Sequence, residues 1–169
     1  MTQYKITAPS YFNHTVQLPS SKSVSNRALI IHALSGGKVQ PHHLSDCDDT
    51  QVIMNAIMHM PPVIDIKAAG TAMRFLTAFL SISEGEHVLT GTERMQHRPI
   101  GPLVDALRYL GADIEYMGED GYPPLRIHGK QLAGGDIEMP GNVSSQYVSA
   151  LLMLGPVLPK GLNIKLTNG

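Results

Sequence analysis

One pattern recurs three times along these 169 residues and narrows the possible folds more than any other. A small polar stretch opens a long apolar run of helical period, a glycine closes it, and a short strand-like run follows. The polar openings are Ser21-Lys22-Ser23, Gly70-Thr71 and Ser144-Ser145, and the closing glycines are Gly37, Gly85 and Gly161. Repetition on this scale means one supersecondary unit used again, each copy burying its helix against the next.

The elements of each round follow from periodicity and turn residues. In the first, 14–19 reads as extended, 23–37 as a helix closed by Gly36-Gly37, 38–44 as a short strand and 46–60 as a helix. Acids in the first turn of that second helix suit the positive end of its dipole, and 63–66 is a strand. The second round has a strongly apolar helix over 70–83, a strand over 86–91 and a helix over 98–112 with a proline near its start. The segments 113–117 and 124–129 form a hairpin across the turn-rich "GEDGYPP". The third round has a strand over 135–140, a helix over 143–158 and a strand over 162–167. It stops at Thr167-Asn168-Gly169, where the second round has only reached Thr90-Gly91, so the chain reads as a piece of a longer protein. The fold class is α/β, built from repeated units with the third incomplete.

Composition removes several classes of function. With 43% hydrophobic and 16% charged residues, the chain is an ordinary globular protein. A net charge of −1 excludes a broad nucleic-acid-binding face, yet leaves room for a local cluster around a small anion. Cys47 is the single cysteine, which excludes an internal disulfide and points to a reducing compartment. The opening residues lack a basic stretch followed by an apolar core, and no apolar run reaches the ~20 residues that span a bilayer. The reading is a cytoplasmic, soluble chain.

The chemistry lies at the helix openings. A helix start offers unpaired N–H groups and a partial positive charge; hydroxyls, a Lys and an Arg fork added there make a site for phosphate or carboxylate. In "SSKSVSNR", Ser23 and Arg27 are four apart and share one helical face, with Lys22 beside them. Taken alone, such serines are N-caps. The second opening has Gly70, which permits close approach, with Arg74 one turn on and Arg94 and Arg98 in a nearby polar loop. The third has Ser144, Ser145 and Gln146. Three such openings in three similar units predict convergence in space, where a doubly anionic ligand, or two anionic ligands, would be gripped from several directions. No glycine precedes Lys22 at P-loop spacing, and the histidines show no metal-ligand spacing. Cys47, among Asp46, Asp48 and Asp49, reads as a helix-entrance residue whose thiol those acids would push up. Met54 and Met58 read as core packing.

The segments "LPSSKSVSNRALIIHAL", "AGTAMRFLTAFL", "GTERMQHRPIGPLVDALRYLGA" and "GNVSSQYVSALLML" resemble, in order, the signatures of the 5-enolpyruvylshikimate-3-phosphate synthases, a branch of the enolpyruvyl transferase family. The resemblance implies one lobe of βαβαββ units with helices inward and sheets outward. Residues 14–169 would form the N-terminal lobe, and 1–13 would be an opening segment that normally joins the other lobe. It implies transfer of a carboxyvinyl group from phosphoenolpyruvate to shikimate 3-phosphate without a cofactor or metal. Lys22, Ser23, Arg27, Ser144, Ser145 and Gln146 would bind shikimate 3-phosphate; Lys22, Gly70, Arg98 and Gln146 would bind phosphoenolpyruvate. The catalytic carboxylates would come from the C-terminal lobe, so this piece alone would bind acceptor and be inactive. Ser20 and Ala68 depart from the usual Gly and Asn. Phe75 replaces a common Pro beside the pocket that also takes glyphosate, so sensitivity to glyphosate-like inhibitors does not carry over. The alternatives are a UDP-N-acetylglucosamine enolpyruvyl transferase fragment and a non-catalytic phospholigand-binding module that pairs with a separate lobe.

Overall fold

A computed structural model describes residues 2–38 and 40–167. Val39, within the expected 38–44 strand, and Asn168-Gly169, at the close of the third round, lie outside them. The helices are α1 (Lys22–Leu34), α2 (Asp48–His59), α3 (Gly70–Ile82), α4 (Glu93–Gln96), α5 (Gly101–Tyr109) and α6 (Ser145–Leu154). The strands are β1 (Val63–Asp65), β2 (Gly85–Thr90), β3 (Asp113–Tyr116), β4 (Leu125–Gly129), β5 (Gly135–Pro140) and β6 (Leu162–Thr167).

The second round is a complete βαβαββ unit. β1 and β2 run parallel on either side of α3 in sequence; β4 pairs antiparallel with β2 and β3 with β4, giving the order β1-β2-β4-β3. The third round repeats its beginning, with β5 and β6 parallel and in register from Gly135 opposite Leu162 to Pro140 opposite Thr167. The first round contributes α1, α2 and, as the opening strand of the next unit, β1; its other two expected strands do not form among the described residues. Residues 2–19 are exposed and carry neither helix nor strand. Over 40–44, Pro41 has no N–H to donate to a ladder and His43 has a φ of 53°, which breaks an extended run.

α3 is the centre of the molecule. Apolar residues lie all round it, as in a helix surrounded by protein, and every residue except Thr71 and Ile82 is buried. Its interior hydroxyls turn back onto their own helix, Thr77 Oγ1 to the Met73 carbonyl at 2.7 Å and Ser81 Oγ to Ala78 at 2.7 Å. α1, α2, α5 and α6 pack around it, and β2 and β4 cover one side. The sheet turns Leu89, Ile114, Leu125 and Ile127 inward. Outward, Arg126 bridges Glu86 (3.4 Å) and Glu115 (3.6 Å). Helices therefore lie inside and sheets outside.

α2 corrects one expectation. Its buried face is Thr50, Ile53 and Ala56; Met54, half-buried, packs against the core as expected, but Met58, at 68% exposure, is no core residue. Among the described residues no helix is long and apolar enough to cross a membrane.

Candidate binding site at three helix starts

The starts of α1, α3 and α6 are tied to one another by side chains of their first two turns. Gln146 of α6 donates through Nε2 to Thr71 Oγ1 of α3 at 3.2 Å. Arg27 of α1 donates through Nη2 to Ser149 Oγ of α6 at 3.2 Å, and its Cζ lies 5.3 Å from the centroid of Phe75 of α3. Repetition in sequence has become adjacency in space, because parallel packing of equivalent helices brings their equivalent ends together.

The three starts are finished differently. Ser21 caps α1, its Oγ accepting from Val24 N at 3.4 Å, and Ser144 caps α6, accepting from Gln146 N at 3.3 Å. Capping thus accounts for these two serines. It does not account for Ser23 or Ser145, which are exposed and whose hydroxyls have no hydrogen-bond partner among the described residues. α3 has no side-chain cap, so the first-turn N–H groups at Gly70 keep their capacity for an anion. Arg98 lies directly over this end. A Cβ placed on Gly70 would overlap Arg98 Nη1 and come within 2.9 Å of its Cζ, so glycine is what lets the guanidinium lie on the backbone. Arg98, Arg94, Ala68, Thr92 and Met95 line a cavity of about 230 Å³ beside this start. Larger hollows, of about 650 Å³ between α5 and β5 and about 340 Å³ near Leu132 and Leu158, include none of the starts of α1, α3 and α6.

Charge is distributed unevenly. Lys22, at the first position of α1, pairs with Asp49 Oδ2 of α2 at 3.5 Å. Arg27, Arg74 and Arg98 have no carboxylate within ion-pair distance among the described residues. Arg74 is buried and is held by neutral groups: it donates to the Gly70 carbonyl (3.1 Å) and the Pro99 carbonyl (2.8 Å), with the Tyr147 ring 5.8 Å from Cζ. Burial pushes its pKa below the usual arginine value, and the Tyr147 hydroxyl pulls it back up in part. Cationic groups held by neutral partners keep their field for an incoming anion.

Several members of this assembly are not evident from sequence. Asp49 reads as a helix-start acid and turns out to hold Lys22. Phe75 and Ser149 carry no charge, and only their place one turn along two of the openings hints at a role; Thr71, already part of the second opening, turns out to be the acceptor for Gln146. Cys47 is the first residue outside α2 and makes no side-chain cap bond. Its thiol reverses the expected direction: burial and Asp49 push it up, but hydrogen bonds with Ser45 and Thr50 outweigh both and leave it below the ordinary thiol value.

A family model described as EPSP synthase (3-phosphoshikimate 1-carboxyvinyltransferase) matches residues 6–61 and 58–168. A 3-phosphoshikimate 1-carboxyvinyltransferase of Bacteroides fragilis is 63% identical over 165 residues, covering 98% of this chain. One from Shewanella amazonensis is 43% identical over 187 aligned positions, covering 95% of it. The chain spans 40% and 44% of the length of these two relatives. Among solved structures, an EPSP synthase from Acinetobacter baumannii superposes with a TM-score of 0.72 at 25% identity, over 85% of this chain and 38% of that one.

Proposed function

The chain belongs to the EPSP synthase family, and from that membership we propose that it supplies the wall of the active site that receives shikimate 3-phosphate. The observation that carries this reading is the meeting of three helix starts through Gln146–Thr71 and Arg27–Ser149. In this reading Ser23, Arg27, Ser144, Ser145 and Gln146 bind the phosphorylated acceptor. Gly70 and Arg98 receive phosphoenolpyruvate, and Lys22 reaches both substrates.

The reaction is carboxyvinyl transfer. The acceptor's 5-hydroxyl oxygen bonds to C2 of phosphoenolpyruvate while its proton leaves to a base and C3 gains a proton from an acid. The adduct then loses inorganic phosphate from C2 as a base takes a proton from C3 and the C2–C3 double bond returns. Both substrates are polyanions, so holding them in contact and offsetting their charge is the larger part of what this wall contributes. The acid and base come from the part of the relatives that this chain does not span, as does the lobe against which residues 1–13 would pack.

Calorimetric titration tests the reading. Shikimate 3-phosphate should bind the purified chain saturably, UDP-N-acetylglucosamine should not, and the chain alone should release no phosphate from the substrate pair. Failure to bind shikimate 3-phosphate would contradict the assignment of substrate. Steady phosphate release would contradict the division of labour.

A further inference from the structure

Resting on the reading above, we propose that Phe75 and Ser149 are positioning residues for Arg27, fixing its guanidinium for the anionic acceptor without neutralising it. Arg27 is half-buried in the second turn of α1 and has three partners, one on each helix that meets at the site. Nη1 donates to the Ser23 carbonyl of α1 at 3.1 Å. Nη2 donates to Ser149 Oγ of α6 at 3.2 Å. The Phe75 ring of α3 lies 5.3 Å from Cζ.

All three partners are neutral, as they are for Arg74 and Arg108, but of these three arginines Arg27 alone is bound by all three helices that meet at the site. Lys22, Lys67, Arg126 and Lys165 each sit beside a carboxylate. A carboxylate would order the arginine equally well, but it would cancel the charge and have to be displaced when a phosphorylated ligand arrives. A carbonyl, a hydroxyl and a ring face order it and leave the charge intact. Of the five N–H donors of a guanidinium, this arrangement uses two. The other three remain for the ligand, and a side chain already ordered need not lose its freedom on binding.

The clamp is itself well anchored. Phe75 is fully buried, so core packing fixes its ring. Ser149 lies one turn after Ser145, on the same face of α6 as a proposed acceptor ligand.

The test is an NMR titration of shikimate 3-phosphate into the chain and into Phe75→Leu, Ser149→Ala, Ser149→Thr and Arg27→Ala variants, following the Arg27 Nε–Hε signal. Without ligand, the ring should displace that signal from its ordinary position, and Phe75→Leu should return it. Phe75→Leu and Ser149→Ala should each raise Kd about fivefold, while Ser149→Thr, which keeps the hydroxyl, should stay within about twofold of the parent. If Arg27→Ala weakens binding but Phe75→Leu and Ser149→Ala bind like the parent, the positioning role is wrong and the substrate reading stands. If the parent does not bind, or Arg27→Ala binds like it, the substrate reading fails and takes the ligand role of the clamp with it. An Hε signal unchanged by Phe75→Leu overturns the clamp whatever the ligand does. Ser149→Ala, which removes only a half-buried hydroxyl from a helix face, decides the matter should Phe75→Leu fail to fold.

Discussion

Gly70 and Gly129 both lack room for a side chain, and the difference between their neighbours separates function from stability. At Gly70 the obstructing atoms belong to the end of the Arg98 side chain, which can swing away at small cost. At Gly129 they belong to the backbone at Ser83 and Leu80, which cannot. Gly70→Ala should therefore melt within a few degrees of the parent while moving Arg98 off the start of α3. Gly129→Ala should lose about 3 kcal/mol or more, a fall of roughly 6–12 °C for a chain of this size. Thermal melts of the two variants check the pair, and equal losses would contradict the account. Cys47 makes a second prediction at this scale. Because its folded thiol ionises more readily than an ordinary one, its iodoacetamide alkylation should reach half-maximal rate at a lower pH than free cysteine. The sign for stability follows: the contribution is complete above the unfolded pKa and disappears as pH falls through the folded one.

Between α1 and α2 the contact is polar as well as apolar, and this is where an element rather than a residue is at stake. Ser25, Asn26, Ser45 and Thr50 are buried between them. Ser45 N donates to Ser25 Oγ at 2.8 Å, and Thr50 Oγ1 donates to Asn26 Oδ1 at 2.7 Å. Asn26 Nδ2 is buried without a partner, so Thr50 is all that satisfies the Asn26 side chain. Thr50→Val should cost about 1–3 kcal/mol by denaturant unfolding, and Asn26→Leu with Thr50→Val should recover most of that loss, since removing both polar partners spares the unpaired group. At this scale the sequence is a good guide wherever period is expressed over a whole element. α2, α3, α5 and α6 and five of the six strands fall within their expected segments, and α1 and β2 each begin one residue early. α4, only four residues long, is too short to show a period. Among the described residues, the expected strands at 14–19 and 38–44 lack what completes a strand, a hydrogen-bonded neighbour, which no local pattern reveals.

For the whole molecule, the repeated units explain why the site exists at all. Three equivalent helices packed in parallel put three equivalent ends together, and the polar openings visible in the sequence become one surface. The cations and hydroxyls of that surface are legible from residue type and spacing, as Lys22, Arg27 and Arg98 show. The neutral groups that orient them are not, because Phe75 looks like any core aromatic and Ser149 like any helical serine until the partner helix is in place. The exposed apolar residues of the opening segment, Tyr4, Ile6, Tyr11 and Phe12, agree with the proposal that it packs against the remaining length of the family. One measurement bears most directly on the convergence of the helix starts: backbone amide shifts recorded while shikimate 3-phosphate is titrated into the chain. Saturable shifts grouped at residues 22–27, 70–74 and 144–149, and absent around Leu132 and Leu158, are the predicted result. Shifts confined to one helix start, or centred on the far end of α3, would contradict it.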